Sequence, residues 1–159
     1  ENLTMGLKGI LQKAFMGAST EESNENKEKM RQIFNRQVEN GNSYTLMYCY
    51  AESYTNAILV EITKHANFIV GYKEGEVVVI PVDADLTDIG DSYIFNKANN
   101  SQIKYSAFTS CFVGNDEISF NFIPMEYRPA INRGSEYKVA IIQSHKEVTD
   151  MQKFFKAGF

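Results

Sequence analysis

Residues 67–83 of this 159-residue chain read NFIVGYKEGEVVVIPVD, and this stretch decides the class of fold. The larger side chains of its first part fall on alternate positions, namely Phe68, Val70 and Tyr72. Alternation with a period of two is typical of a β-strand. Residues 73–76 are typical of a hairpin turn, and the β-branched run at 77–80 is typical of a buried strand. Because Pro81 has no N–H to donate, it ends that strand or places it next to an edge, and the stretch predicts an antiparallel hairpin.

Strand-like patterns continue on both sides of this hairpin. Apolar or alternating runs cover residues 44–51, 56–62, 92–96, 103–112, 117–123 and 137–142. Short turns, such as the one at 113–116, join several of them, and short turns can join only antiparallel strands. About seven such strands cannot bury both faces of one flat sheet, so we expect a β-sandwich or a partly open barrel.

Helical patterns lie at the two ends of the chain. Apolar spacing predicts a helix over 5–16 and a second one over 24–39, both in front of the first strand. Residues 144–147 (Ser-His-Lys-Glu) form a capping box that opens a C-terminal amphipathic helix. The apolar face of that helix comprises Val148, Met151, Phe154 and Phe155. We therefore predict an α+β, mostly antiparallel β fold, with a helical segment at 1–42 and a β domain capped by its C-terminal helix at 43–159.

Seven strands followed by a C-terminal amphipathic helix resemble the outline of a pleckstrin-homology-like (PH-like) domain. The stretch 67–83 also resembles the opening hairpin of bacterial members of that superfamily. The resemblance covers roughly residues 44–158 and implies a scaffold that binds peptides, proteins or lipid headgroups, usually without catalysis. Lipid-binding members carry lysines and arginines in the loop between the first two strands, whereas residues 52–55 here read Glu-Ser-Tyr-Thr. This departure disfavours phosphoinositide binding.

The charge of the chain excludes further classes of partner. A formal net charge of -4 repels phosphate backbones, so we expect no nucleic-acid partner. The densest basic stretch, residues 27–36, shares its face with acidic residues and is a solvated helix face. No apolar run approaches the roughly 18 residues that cross a bilayer, and no signal-peptide pattern is visible. We therefore expect a cytoplasmic protein without a transmembrane segment.

The sequence has no catalytic or cofactor motif. His65 and His145 have no nucleophile at catalytic spacing, and no phosphate-binding glycine motif occurs. Cys49 and Cys111 each lie in an apolar run without CxxC spacing, which favours two core residues and leaves a disulfide open. We therefore expect a protein without a cofactor that is not an enzyme.

An acidic loop is the only region that suggests a metal. Its candidate ligands are Asp83, Asp85 and Asp88, because calcium prefers carboxylate oxygens. Leu86 and Ile89 interrupt the pattern, however, and no glutamate closes it. A solvated loop is the favoured interpretation, and we predict no metal site.

Tyrosines in the strand region are the candidate binding residues: Tyr48, Tyr50, Tyr54 and Tyr72. Tyrosine is enriched at protein interfaces because it combines apolar area with a polar tip, although the same residues suit the core of a sheet. One hypothesis is a domain that binds a protein, or a second copy of itself, through a sheet edge or these aromatic strands. The alternative is a small-molecule-binding or hydrolytic β domain with its ligand in the mouth of the barrel. The first predicts an open strand edge or an exposed apolar patch, and the second predicts a concave pocket.

Overall fold

A computed structural model describes residues 19–51, 67–106, 110–127 and 138–159, which contain two helices and seven strands. The helices are α1 (Thr20–Gln37) and α2 (His145–Ala157). The strands are β1 (Thr45–Tyr50), β2 (Asn67–Lys73), β3 (Glu76–Val82), β4 (Tyr93–Asn96), β5 (Gln102–Tyr105), β6 (Cys111–Gly114) and β7 (Ser119–Pro124). Short 3-10 turns occupy Gly41–Ser43 and Lys97–Asn99. Neither helix is long and apolar enough to cross a membrane.

All seven strands belong to one antiparallel sheet with the order β4-β3-β2-β1-β7-β6-β5. The hairpin at 67–83 is confirmed as β2 and β3, with Lys73 opposite Glu76. Its two-residue turn contains Gly75 at φ 81°, a left-handed conformation that costs glycine little because it has no Cβ. The antiparallel, turn-linked architecture follows from these local signals.

The sheet is strongly curled. Phe95 of β4 and Phe120 of β7 lie four strand spacings apart in the sheet order, which is roughly 19 Å if the sheet is flat. Their ring centroids are nevertheless 5.9 Å apart, and the ring of Tyr93 is 5.2 Å from that of Phe120. The curl therefore wraps one concave face around a core. Helix α2 covers this face with Val148, Met151 and Phe155.

Helix α1 covers the part of the convex face formed by β1, β2 and β3. Its buried side chains Met30, Ile33 and Phe34 pack in a second core cluster with residues of β1, β2 and β3. The ring of Phe34 lies on Gly71 of β2, where an added Cβ would be 2.3 Å from the ring, so this close approach requires glycine. The division of the chain at residues 42 and 43 stays a prediction, but this helix from the N-terminal side packs on the sheet.

The prediction of two N-terminal helices is wrong. Within the described ranges a single helix, α1, precedes the first strand, and the predicted helix over 5–16 lies outside those ranges. Helix α1 also begins earlier than residue 24, because the Ser19 hydroxyl caps it by accepting the N–H of Glu22 at 3.1 Å. A side-chain cap and acidic residues in the first turn stabilise a helix start that has few apolar residues.

Two strand predictions also need correction, and a third lies outside the described residues. The single strand predicted at 103–112 is two strands, β5 and β6, which pair with each other. Residues 138–142 do not form a strand, since side chains of α1 bind their backbone: Ile142 N–H donates to Ser23 Oγ at 2.8 Å, and Asn26 Nδ2 donates to Ala140 C=O at 2.8 Å. The third prediction, a strand at 56–62, lies outside the described residues.

Candidate interaction site at the strand edges

Among the described strands, β4 and β5 are the outer strands of the sheet, and an outer strand is where another chain can add a strand. Residues that face each other in an antiparallel pair alternate between hydrogen-bonded and non-hydrogen-bonded pairs. In an outer strand, every second residue therefore points its N–H and C=O away from the sheet. The state of these outward groups decides whether an edge is open or closed.

The β4 edge is closed by its own chain. When the alternation of hydrogen-bonded and non-hydrogen-bonded pairs is followed from the β2–β3 turn, Val77 and Val79 fall in hydrogen-bonded pairs with β4. The backbone N–H and C=O groups of Ile94 and Asn96 therefore point away from the sheet. Asn99 Nδ2 donates to the C=O of Ile94 at 2.6 Å, and the N–H of Asn96 donates to Asn99 Oδ1 at 3.1 Å. The C=O of Asn96 accepts the N–H of Ser101 at 3.1 Å. Three of the four outward groups thus have partners.

The β5 edge is open in the part of the chain that the structure describes. The N–H of Ser106 donates to the C=O of Ser110 at 2.9 Å, which fixes Lys104 and Gln102 as the residues bonded to β6. Ile103 and Tyr105 therefore direct their N–H and C=O groups outward. No hydrogen bond from a described residue reaches these four groups.

The two faces of β5 differ in chemistry. The side chain of Ile103 is buried, and that of Tyr105 is half-buried against the concave core. Gln102 and Lys104 are exposed on the opposite face. Because α2 packs next to β5, a strand added here would lie close to this helix. The site therefore combines an unpaired backbone edge with one apolar and one polar face.

The structure does not gather the candidate tyrosines into one surface. Tyr48 is fully buried, its hydroxyl bonds to Asn67, and burial raises its pKa far above the ordinary range. Tyr72 packs on the opposite face with its ring 4.8 Å from that of Phe154, and burial raises its pKa to about 12. Tyr50 is half-buried under Lys138 Nζ, which is 4.0 Å from its ring centroid. Tyr54 lies outside the described residues, and a binding role for these tyrosines stays a prediction.

The acidic loop is organised by one of its own carboxylates. Asp83 Oδ1 accepts the N–H of Thr87 at 2.7 Å and that of Asp88 at 3.1 Å, while Asp83 Oδ2 accepts the Thr87 hydroxyl at 2.7 Å. Partial burial raises the pKa of Asp83, but these hydrogen bonds outweigh it and the net pKa is lowered. Asp85 and Asp88 are exposed. Within the described ranges, no group of three or more His, Cys, Asp or Glu residues could hold a metal ion.

The structure brings Glu126 next to His145 and Thr149, which lie four positions apart on α2. His145 Nδ1 bonds to the carboxylate of Glu126, and His145 Nε2 lies 3.4 Å from Thr149 Oγ1. The order of groups is that of an acid, a base and a nucleophile. However, the side chain of His145 is 83% exposed, and a catalytic group of this kind needs a site that holds substrate and excludes water. We interpret these contacts of His145 as structural contacts at the start of α2.

Two open depressions lie on the surface formed by the described residues. One, of about 430 Å³, lies between β4 and the turn from β6 to β7, and the other, of about 700 Å³, lies over the turn after α1. Ligand sites are concave pockets that enclose most of the ligand and have mainly apolar linings. Both depressions are open to solvent and have linings of mixed polarity, so neither supports the small-molecule alternative.

The two cysteines are free and buried in the concave core. Cys49 Sγ lies 3.8 Å from Met151 Sδ. Burial raises the pKa of both thiols because a thiolate is poorly solvated there. High pKa values and full burial make them core residues rather than reactive thiols.

We expect alkaline pH to destabilise the fold through Cys111. Burial raises the pKa of its thiol from 9.0 to about 12. The unfolded chain therefore loses this proton at a lower pH than the folded chain. The stabilisation of the folded state by the protonated thiol is complete below pH 9 and is lost as the pH rises from there towards 12. The expected loss is about 1.4 kcal/mol per pH unit. Urea unfolding between pH 9 and 12 should show a smaller fall in the free energy of unfolding for Cys111→Ala than for the wild type. Equal falls in the two proteins would show that the Cys111 thiol is not the group responsible.

No known protein family, curated protein or solved structure matches this chain. In the part of the chain that the structure describes, the sheet combines a closed edge at β4 with an open edge at β5.

Proposed function

We propose that this chain is a non-enzymatic protein-interaction domain that binds an extended segment of a partner along the β5 edge. The observation that carries this proposal is the pair Ile103 and Tyr105, whose outward N–H and C=O groups have no partner in the described part of the chain. A strand that adds to an edge gains affinity from main-chain hydrogen bonds and specificity from alternate side chains. Because the opposite edge is closed, β5 is the edge that can take such a strand.

The proposal includes a PH-like scaffold in the cytoplasm. Seven antiparallel strands in one curled sheet, with α2 over the concave face, support the scaffold. The net charge of -4 supports a protein partner over nucleic acid or an anionic lipid surface. Helix α2 covers the concave face, and α1 covers the convex face at β1, β2 and β3, so the aromatic strands are not a free surface and the β5 edge is the favoured place for a partner.

Peptide selection followed by proline substitution tests this function. A random peptide library displayed on phage is selected on the full chain, and the enriched peptides are measured by calorimetry. Proline at position 105 removes an outward N–H without breaking the β5–β6 ladder, because proline is tolerated where its nitrogen faces away from the sheet. We expect Tyr105→Pro to weaken peptide binding about tenfold or more, because the variant loses one hydrogen bond to the peptide and its proline ring obstructs the edge.

Two controls separate the backbone from other effects. Tyr105→Ala removes the same side chain but keeps the N–H, so it should bind more tightly than Tyr105→Pro. Ile94→Pro makes the same change at an outward position of β4, and its affinity should match the wild type. Equal losses for the proline and alanine variants at 105, or a loss at 94 as large as at 105, would exclude binding along the β5 edge.

A further inference from the structure

A side chain, rather than a neighbouring strand, fills the outer side of β4. The amide of Asn99 donates to the C=O of Ile94 at 2.6 Å and accepts the N–H of Asn96 at 3.1 Å. These are two of the outward groups that an added strand would need. We propose that Asn99 is a blocking residue that prevents β4 from pairing with β4 of a second copy of this chain.

A second copy is the partner that fits this edge, because two antiparallel β4 strands related by a two-fold axis present the same surface to each other. Ile94 and Ile89 are the exposed large hydrophobic side chains within the described ranges, at 47% and 37% exposure. Both lie on the convex side, since they face Val78 and Val82 of β3. Pairing of β4 with its copy would set Ile94 beside the other Ile94 and remove both from water. An unprotected edge with an exposed apolar residue is a known route to self-association.

Asn99 has a second structural role that must be separated from blocking. Its N–H donates to Asn96 Oδ1 at 3.3 Å, and together with the Asn96 N–H bond this forms the capping box of the 3-10 turn Lys97–Asn99. The bond from Asn99 Nδ2 to Ile94 is not part of that cap. A substitution at 96 can therefore weaken the cap while the block stays in place.

The test compares Asn99→Ala with Asn96→Ala in the full chain. Both replace an asparagine by alanine in the same turn, but Asn96→Ala leaves the amide of Asn99 on the backbone of Ile94. Molar mass is measured by light scattering over a range of concentrations. We expect Asn99→Ala to approach twice the wild-type mass as its concentration rises, and Asn96→Ala to keep the wild-type mass. Adding Ile94→Lys to Asn99→Ala should restore the wild-type mass, because a lysine on an edge opposes pairing.

Several results would overturn the proposal. It fails if Asn99→Ala keeps the wild-type mass at every concentration, or if Asn96→Ala associates equally, since association would then follow from loosening of the turn. It also fails if Ile94→Lys does not reverse the association, because the contact would then lie elsewhere. Asn99→Ser is the second variant if the alanine variant does not fold. If neither folds, Asn99 serves folding and the blocking role is wrong.

Discussion

Replacement of Gln143 by methionine is expected to lower the free energy of unfolding by about 3 kcal/mol, a large share of the 5–15 kcal/mol typical of a single domain. The side chain is 2% exposed, and its amide bonds to the backbone of two other segments. Gln143 Oε1 accepts the N–H of Tyr48 at 2.7 Å, and Nε2 donates to the C=O groups of Tyr48 at 3.0 Å and Met125 at 2.8 Å. Methionine fills a similar volume but leaves the N–H of Tyr48 buried without a partner.

The size of this effect follows from the position of Gln143 in the sheet. Among the described residues, two residue pairs join the two halves of the sheet between β1 and β7, Cys49 with Pro124 and Tyr50 with Ile123. The amide of Gln143 continues the ladder beyond these pairs by bonding Tyr48. The residue after β7, Met125, donates its N–H to the C=O of Tyr48 at 3.3 Å, and Gln143 Oε1 supplies the acceptor for the N–H of Tyr48 that a longer β7 would otherwise provide.

Urea unfolding followed by circular dichroism measures the loss. Gln102→Met is the matched control, because it makes the same change at an exposed position of β5. Its free energy of unfolding should stay within about 0.5 kcal/mol of the wild type. If the free energy of unfolding of Gln143→Met falls by less than about 1 kcal/mol, the amide does not stabilise the junction between β1 and β7.

Local signals in the sequence predicted the parts of the fold that depend on neighbouring residues. Alternation and a glycine turn identified the hairpin at 67–83, and the capping box of Ser144 and Glu147 identified α2. Gln143 gave no such signal, because its partner Tyr48 is 95 positions away in the chain. The segment 138–142 has the alternation of a strand, yet its hydrogen bonds go to Ser23 and Asn26 of α1. A period shows which face is apolar, but it does not show what pairs with the backbone.

The candidate site was predictable only in general terms. A strand edge was one of the expected sites, but the choice between β4 and β5 depends on Asn99, whose amide happens to reach the backbone of Ile94. Tyrosine as a residue type suits both interfaces and sheet cores, so its presence in a strand does not show where the side chain lies. The placement of the tyrosine side chains depends on the register of β1 and β2 and on the helices that cover both faces of these two strands, so Tyr48 and Tyr72 are buried on opposite sides. Composition cannot supply that register.

Phe120→Ala is expected to lower the free energy of unfolding by about 3–5 kcal/mol, the usual cost of removing a buried phenylalanine. Phe120 is fully buried, with its ring centroid 5.6 Å from that of Phe68, 5.2 Å from that of Tyr93 and 5.9 Å from that of Phe95. It thus connects β7 to β2 and β4 across the concave face and holds the curl of the sheet. Phe112 of β6 is half-buried on the convex face, opposite to the face that holds Phe120. Phe112→Ala should therefore lower the free energy of unfolding by less than half as much in the same urea experiment. If the two variants lose equal stability, Phe120 does not stabilise the curled shape of the sheet. The contact between β4 and β7 would then not be what brings these two strands together.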